Sequence, residues 1–373
     1  MFKNLLKNTD YILIVTIILL FIVGVFAIYS AGYSDTSANT EYQRQIIWFG
    51  VVCILAIFLW AIDTSMFEFL GYALYGINLI LLILVLAMPS VFGASSWFRI
   101  GGLSYQPSEL MKIGYILCAA KIMTMYTDNK ESAQSDKRKS IILLIVMTLL
   151  FIVPFGLIVL QPDFGTALVY IMITAFMIFK LGIKYRYIIV GFLIAILLIP
   201  MVYNFLPEHA KTRIDVFLNP ELDPLGDGYN AIQSKIAVGA GMLFGTGFLE
   251  GSQTQYGYLP VQSSDFIFSV ISEEMGFIIS ALVVILYLIL LLRILRTASY
   301  AKDKYTSFVA VGIAGMFAFH FIENIGMSIG LLPITGVPLP FVSYGGSNLL
   351  TSGIAIGIIL NISARKSQNV FFG

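Results

Sequence analysis

Charges are scarce in this chain. The few that stand in or beside long apolar stretches need an account, because an ionisable group in hydrocarbon is expensive unless it works or is paired. Arg99, Glu109, Lys112, Asp163 and Asp265 head the candidates, with Glu273, Glu274 and Glu323 deeper in their segments. The run Gln106-Pro107-Ser108-Glu109-Leu110-Met111-Lys112 puts Pro at a first helical position and Glu in the first turn, where the helix dipole favours an anion. Glu109 and Lys112 are three residues apart and can pair, which either neutralises two membrane charges or lines a polar cavity. Gln161-Pro162-Asp163-Phe164-Gly165-Thr166 repeats the device. Two such starts on one face suggest helix N-termini converging on an anionic group.

Asp265 follows Ser263 and Ser264 at the head of another apolar helix, where the plain reading is an N-cap or first-turn acid. That helix carries more polarity than a mere span needs. Ser269 and Ser272 fall near the Asp265 face, and Glu273 lies about 80° round and roughly 12 Å deeper. Glu273 and Glu274 are expected to be buried, structural, and paired with Lys or Arg near the cytoplasmic ends. Other signals carry little. Gly239-Ala240-Gly241 and Gly245-Thr246-Gly247 follow no predicted strand, so they make no nucleotide fingerprint. His209 and His320 lack partners at metal spacing, and Glu221, Asp223 and Asp227 match no calcium loop. Cys53 and Cys118 sit in apolar stretches as small hydrophobes.

The elements that must position these groups follow from composition. Of 373 residues, 58% are hydrophobic and 12% charged, with a net charge of +1, which excludes a soluble core, a disordered chain, a disulfide scaffold and a nucleic-acid binder. The expected fold class is an all-α polytopic membrane protein. About ten apolar segments reach spanning length, near 11–30, 45–62, 69–91, 107–126, 140–160, 164–182, 186–204, 265–292, 306–331 and 343–362. The first is longer than a signal-peptide core and reads as an uncleaved span. Lys and Arg distribution tests the count. One side receives Lys3, Lys7, Lys121, Lys130, the Lys137 to Lys139 cluster, Lys180, Lys184, Arg186, Arg293, Arg296, Lys302, Lys304, Arg365 and Lys366. The other receives Arg44, Arg99, Lys211, Arg213 and Lys235, so both termini are expected to be cytoplasmic. The chain, 1–373, then reads as a single membrane-embedded domain with one long extracytoplasmic loop, 205–264. Within that loop Asn230 to Leu243 reads as an amphipathic segment lying along the interface or dipping inward. No internal repeat implies inverted halves.

In order and spacing these motifs resemble the SEDS (shape, elongation, division and sporulation) family of polytopic peptidoglycan glycosyltransferases, over essentially the whole chain. The resemblance rests on Trp97-Phe98-Arg99 with Gly101-Gly102, on Gln106-Pro107-Ser108-Glu109 and on Gln161 to Ala167. It rests equally on Asp223-Pro224-Leu225-Gly226-Asp227-Gly228-Tyr229-Asn230, on Asp265-Phe266-Ile267-Phe268 with Glu273-Glu274, and on Leu339 to Ser347. The Asp223 to Asn230 motif and Thr335-Gly336-Val337-Pro338-Leu339-Pro340 look more like elongation members than division members. Where relatives often place a His two residues before the acid, this chain has Ser263, and Asn348 replaces a common Ser.

The resemblance implies polymerisation of lipid II into glycan strands at the outer membrane face, with inversion at the donor anomeric carbon and Asp265 as general base. An aspartate near its normal pKa is a weak base, and a helix N-terminus or cations are expected to depress it further. Arg99, Lys112 and either Arg44 or Lys235 would offset the pyrophosphate charge. Glu109 and Asp163 would position Lys112 or help hold a divalent metal ion, magnesium or manganese, whose identity is unknown. Gln106, Gln161, Asn230, Gln233, Ser343, Tyr344 and Ser347 are the expected sugar or loop contacts. Implied partners are lipid II and the growing strand, a class B penicillin-binding protein as transpeptidase, and other elongation-complex membrane proteins. A lipid II flippase and a catalytically silent cell-wall scaffold are the alternatives.

Overall fold

The computed structural model describes residues 2–33, 40–89, 96–100, 103–132, 136–182, 186 and 208–365. After a short α1 (Phe2–Asn8) come α2 (Tyr11–Ala31), α3 (Glu41–Ala61) and α4 (Met66–Val85). A two-stranded hairpin, β1 (Phe98–Ile100) and β2 (Leu103–Tyr105), leads into α5 (Pro107–Glu131), α6 (Lys137–Leu160) and α7 (Phe164–Lys180). Then follow α8 (Glu208–Leu218), α9 (Asp227–Ala240), the single turn α10 (Ser252–Gln255), α11 (Ile267–Ser299), α12 (Lys304–Ser328) and α13 (Gly346–Ala364). Nine of these helices, α2 to α7 and α11 to α13, coincide with expected spans. The remaining span, 186–204, falls outside the described residues apart from Arg186. The chain is thus an all-α, multi-pass membrane protein, with one small hairpin among the described residues.

Local chemistry starts the helices where the sequence reading placed them. Asp10 accepts from the Leu13 amide at 3.1 Å, Asp163 from Thr166 at 3.2 Å and Asp303 from Thr306 at 2.8 Å, each a side-chain cap on otherwise orphan N–H groups. The layering follows polarity. In α13, 89% of the spanning window is buried, against 17% in α6, so α12 and α13 form the centre while α3, α4 and α6 turn residues such as Ile54, Phe69 and Leu160 outward to lipid. Small residues allow close helix contact: a Cβ on Gly71 would stand 2.6 Å from Leu117 Cβ, and one on Gly114 2.7 Å from the Tyr75 amide nitrogen. Three ion pairs tie the ends of spans together at one face of the bundle: Arg293 with Asp10 at 2.7 Å, Lys121 with Glu68 at 2.7 Å, and Lys304 with Asp128 at 2.9 Å.

The segment expected as a long loop is largely built. The amphipathic stretch forms α9, ending at Ala240 rather than Leu243, and docks through Ser234, whose hydroxyl meets Ser269 Oγ at 2.7 Å and the Ser328 carbonyl at 2.8 Å. The glycine-rich run beyond it crosses α11 where that helix is interrupted at Gly276, with φ of 75°. A broken helix leaves amides and carbonyls unpaired, and this run pairs them. Thr246 and Gly247 donate to the carbonyls of Glu273 and Glu274, at 2.9 and 3.2 Å. The carbonyls of Met242 and Leu243 accept from Phe277 and Ile278, at 2.9 and 3.3 Å.

The expected pairing of Glu273 and Glu274 with cations is corrected here. Both are buried, but Glu273 caps α10, accepting from the amides of Gln253 and Thr254 at 2.7 and 3.0 Å, and Glu274 accepts from Gln255 Nε2 at 2.8 Å. Backbone amides at a helix start satisfy a buried carboxylate as well as a cation does, without burying a second charge.

Candidate functional site

The N-termini of α5, α7, α11 and α13 open onto one cavity of about 1120 Å³. Four positive helix ends facing one space favour an anion there. Three guanidinium groups line it as well: Arg44 from α3, Arg99 from β1 and Arg213 from α8. Four acidic residues, Glu109, Asp163, Asp227 and Asp265, line the same cavity. The expected convergence of helix starts is therefore present, with α11 and α13 added to the α5 and α7 starts that suggested it.

Asp265 stands two residues before α11, and its carboxylate accepts from Ser264 Oγ at 2.8 Å. Its carbonyl accepts from Asn324 Nδ2 at 2.8 Å, and that same amide group donates to the Val337 carbonyl at 2.9 Å. The Ser343 hydroxyl donates to the Ser264 carbonyl at 2.6 Å and accepts from the Leu339 amide at 2.8 Å, while the Tyr344 amide donates to the Ser263 carbonyl at 2.9 Å. The acid is thus clamped between two loops. Burial pushes its carboxyl above the ordinary aspartate range, with Ser264 and Arg213 opposing more weakly. This corrects the expected lowering: the cations and helix end are present, and desolvation outweighs them.

Glu109 and Lys112 pair at 2.8 Å, and both are buried. Glu109 lines the cavity, whereas Lys112 lies behind the wall, with His320 Nε2 as a second partner at 3.0 Å. Asp163 lines the cavity and accepts from Gln106 Nε2 at 2.7 Å, joining the starts of α5 and α7. Ser347 accepts from the Gln106 amide at 3.3 Å, and Ser347, Tyr344, Gln106, Arg44 and Arg99 all line the cavity. The remaining expected contacts are elsewhere. Gln161 is buried against the Leu82 carbonyl at 3.0 Å, and Ser343 works as the clamp. Asn230, Gln233 and Lys235 on α9 are not among the cavity-lining residues, and the Lys235 stem lies over Gly330.

Several residues in or behind the wall escaped the sequence reading. Arg213 and Thr212 sit on a helix whose polar pattern looks like ordinary loop chemistry. Gln45, His320 and Asn324 did carry a signal, since each is a polar side chain inside an apolar span. Gln45 is fully buried and donates to the Ser343 carbonyl at 2.9 Å. Among the described residues no three His, Cys, Asp or Glu side chains gather as a metal cluster. Glu109 is committed to Lys112, and Asp163 to Gln106 and the Thr166 amide. The donor set does not fit a protein-built metal cage.

The comparisons agree with this architecture. The chain is 33% identical to the peptidoglycan glycosyltransferase RodA of Treponema pallidum, over 96% of this chain and 98% of that protein. It is 37% identical to stage V sporulation protein E of Bacillus subtilis, over 95% and 97% of the two chains. Among solved structures, it matches a chain of a peptidoglycan synthase complex that coordinates polymerization and crosslinking, with a TM-score of 0.80, 29% identity and coverage of 97% and 99%. It also matches the rod shape determining protein RodA of Thermus thermophilus, with a TM-score of 0.69, 27% identity and coverage of 97% and 98%. With residues 10–368 also matching the family model described as cell cycle protein, this chain belongs to the FtsW/RodA/SpoVE family.

Proposed function

We infer that this chain is a peptidoglycan glycosyltransferase that polymerises lipid II at the outer face of the cytoplasmic membrane, in the elongation role of RodA. The observation that carries the reading is an aspartate clamped between two loops at a cavity lined by three arginines and four helix N-termini. Glycan extension needs that combination. The acceptor's 4-hydroxyl attacks the donor's anomeric carbon from the face opposite the pyrophosphate. Asp265 takes the hydroxyl proton as the new C–O bond forms, the C–O bond to pyrophosphate breaks, and the anomeric centre inverts. The departing lipid-linked pyrophosphate gains negative charge, which Arg44, Arg99 and Arg213 offset with the help of the helix ends. A magnesium or manganese ion, if recruited, would add its charge to that of the arginines.

The Lys and Arg distribution supports the topology of the same reading. The segment 205–264 and the cavity lie outside the membrane face, both termini are cytoplasmic, and residues 1–373 act as one membrane-embedded unit. A class B penicillin-binding protein supplies transpeptidation beside it. The synthase complex that coordinates polymerization and crosslinking, to which this chain is similar, supports that partner. Further elongation-complex membrane proteins belong to the same proposal.

The test is a glycan ladder from purified lipid II, comparing wild type with Asp265→Ala, alone and with the cognate class B partner. A ladder made by wild type and lost in the variant supports the enzyme. A ladder that survives in Asp265→Ala removes Asp265 from the chemistry. Lipid II transfer across vesicles with no ladder under any condition would establish a flippase.

A further inference from the structure

Behind the cavity wall runs a column of hydrogen bonds that the mechanism above does not use. Lys112 Nζ donates to Glu109 Oε1 at 2.8 Å and to His320 Nε2 at 3.0 Å. His320 Nδ1 lies 2.8 Å from the Pro338 carbonyl oxygen. An ammonium can only donate, so Nε2 must be bare. A carbonyl can only accept, so Nδ1 must carry the hydrogen. Two separate contacts thus require the same neutral tautomer. The imidazole is 1% exposed and the lysine 0%, so no solvent replaces either partner.

Both ends of the column reach the cavity, since Glu109 and Pro338 line it. One helical turn along α12, Asn324 binds the carbonyls of Val337 and Asp265. Glu323 accepts from Thr335 Oγ1 at 2.7 Å. Consecutive contacts from α12 therefore set the wall at 335–338, and Gly336 in that wall is so close to Asp265 that a Cβ there would lie 3.1 Å from Oδ2. His320 ties this wall to the Glu109–Lys112 pair on the opposite helix, α5.

We propose that His320 is a positioning residue for glycan polymerisation: as the Nδ1–H tautomer it joins Pro338 to Lys112, holding Glu109 and the Asp265-facing wall in one register. It touches no substrate. Its loss therefore falls on turnover rather than on binding. The inference rests on the cavity being the polymerisation site.

The experiment compares lipid II polymerisation by wild type, His320→Leu and His320→Gln in the full-length protein with its class B partner. Leucine keeps bulk and removes both contacts. Glutamine restores an acceptor for Lys112 and a donor for Pro338. His320→Leu is expected to lose roughly 10- to 100-fold in kcat, as misplaced supporting groups do. Its KM for lipid II should stay within about threefold of wild type, and His320→Gln should recover most of the rate. A His320→Leu enzyme within about twofold of wild type would overturn the proposal, as would a His320→Gln enzyme no better than the leucine variant. The chain has two histidines, so His209→Asn leaves His320 as the sole imidazole. In that variant, ¹⁵N-histidine NMR should show Nδ1 protonated and Nε2 bare, and this readout decides the matter should His320→Leu not fold. The opposite tautomer or a doubly protonated ring would overturn the column. A wild type that makes no ladder would sink the polymerase reading alone, with the tautomer still testing the column.

Discussion

At the scale of single residues, the raised pKa of Asp265 has a direct kinetic consequence. A general base works when deprotonated, so kcat/KM should be flat above its pKa and fall about tenfold per pH unit below it. Because burial raises that pKa, the acid limb should lie above the ordinary aspartate value of about 3.9. A pH–rate profile with lipid II checks this, and a profile flat down through that range would remove Asp265 from the proton transfer. Arg213 gives a second prediction. Among the described residues it forms an ion pair with Asp227 at a long 3.8 Å, which leaves the guanidinium available to the pyrophosphate. Arg213→Ala should lower kcat/KM by roughly 10- to 100-fold. It should also weaken product inhibition by undecaprenyl pyrophosphate, measured in the same assay. The sequence located Asp265, Glu109, Asp163, Arg44 and Arg99 because each breaks an apolar pattern or heads a helix. Lys112 carried the same signal, yet its charge is turned away from the cavity toward Glu109 and His320. One-dimensional spacing says that two groups can meet and cannot say which side of a wall they meet on.

At the scale of elements, helix boundaries were readable because hydropathy and capping chemistry are local. The break in α11 was not. Nothing in Glu273-Glu274-Met275-Gly276 separates an interrupted helix from a continuous one, since the interruption is stabilised by a glycine run thirty residues earlier in the chain. The same lack of range explains why Glu273 and Glu274 were given cationic partners: the amides that bind them belong to α10. The junction makes a sharp prediction. A Cβ on Gly276 would stand 2.2 Å from the Gly245 amide nitrogen, at a positive φ of 75°. Gly276→Ala should cost at least about 2 kcal/mol. Gly239 on α9 has nothing within 4 Å of a Cβ, so Gly239→Ala should be neutral or slightly stabilising. Thermal unfolding of the two variants in detergent compares them directly.

At the scale of the whole molecule, the arrangement proposed in the membrane can be tested by labelling. Leu225 is 93% exposed, at the end of the bundle that carries the cavity. In a background lacking Cys53 and Cys118, Leu225→Cys should react with an impermeant maleimide in intact cells. Lys302→Cys, between α11 and α12, should react only after lysis. The opposite pattern would invert the topology and place the cavity in the cytoplasm. Burial also explains a gap between hydropathy and position. The central helices α12 and α13 are less apolar than α6, since they face protein and the cavity while α6 faces lipid. The mended break in α11 bears, finally, on how the protein is made. When this helix leaves the translocation machinery its first half carries two carboxylates that lipid cannot solvate. The amides that quiet them, and the glycine run that closes the gap, have already been synthesised. The partners of both carboxylates thus precede α11 in the chain, so they are already present when the helix that follows Asp265 enters the bilayer.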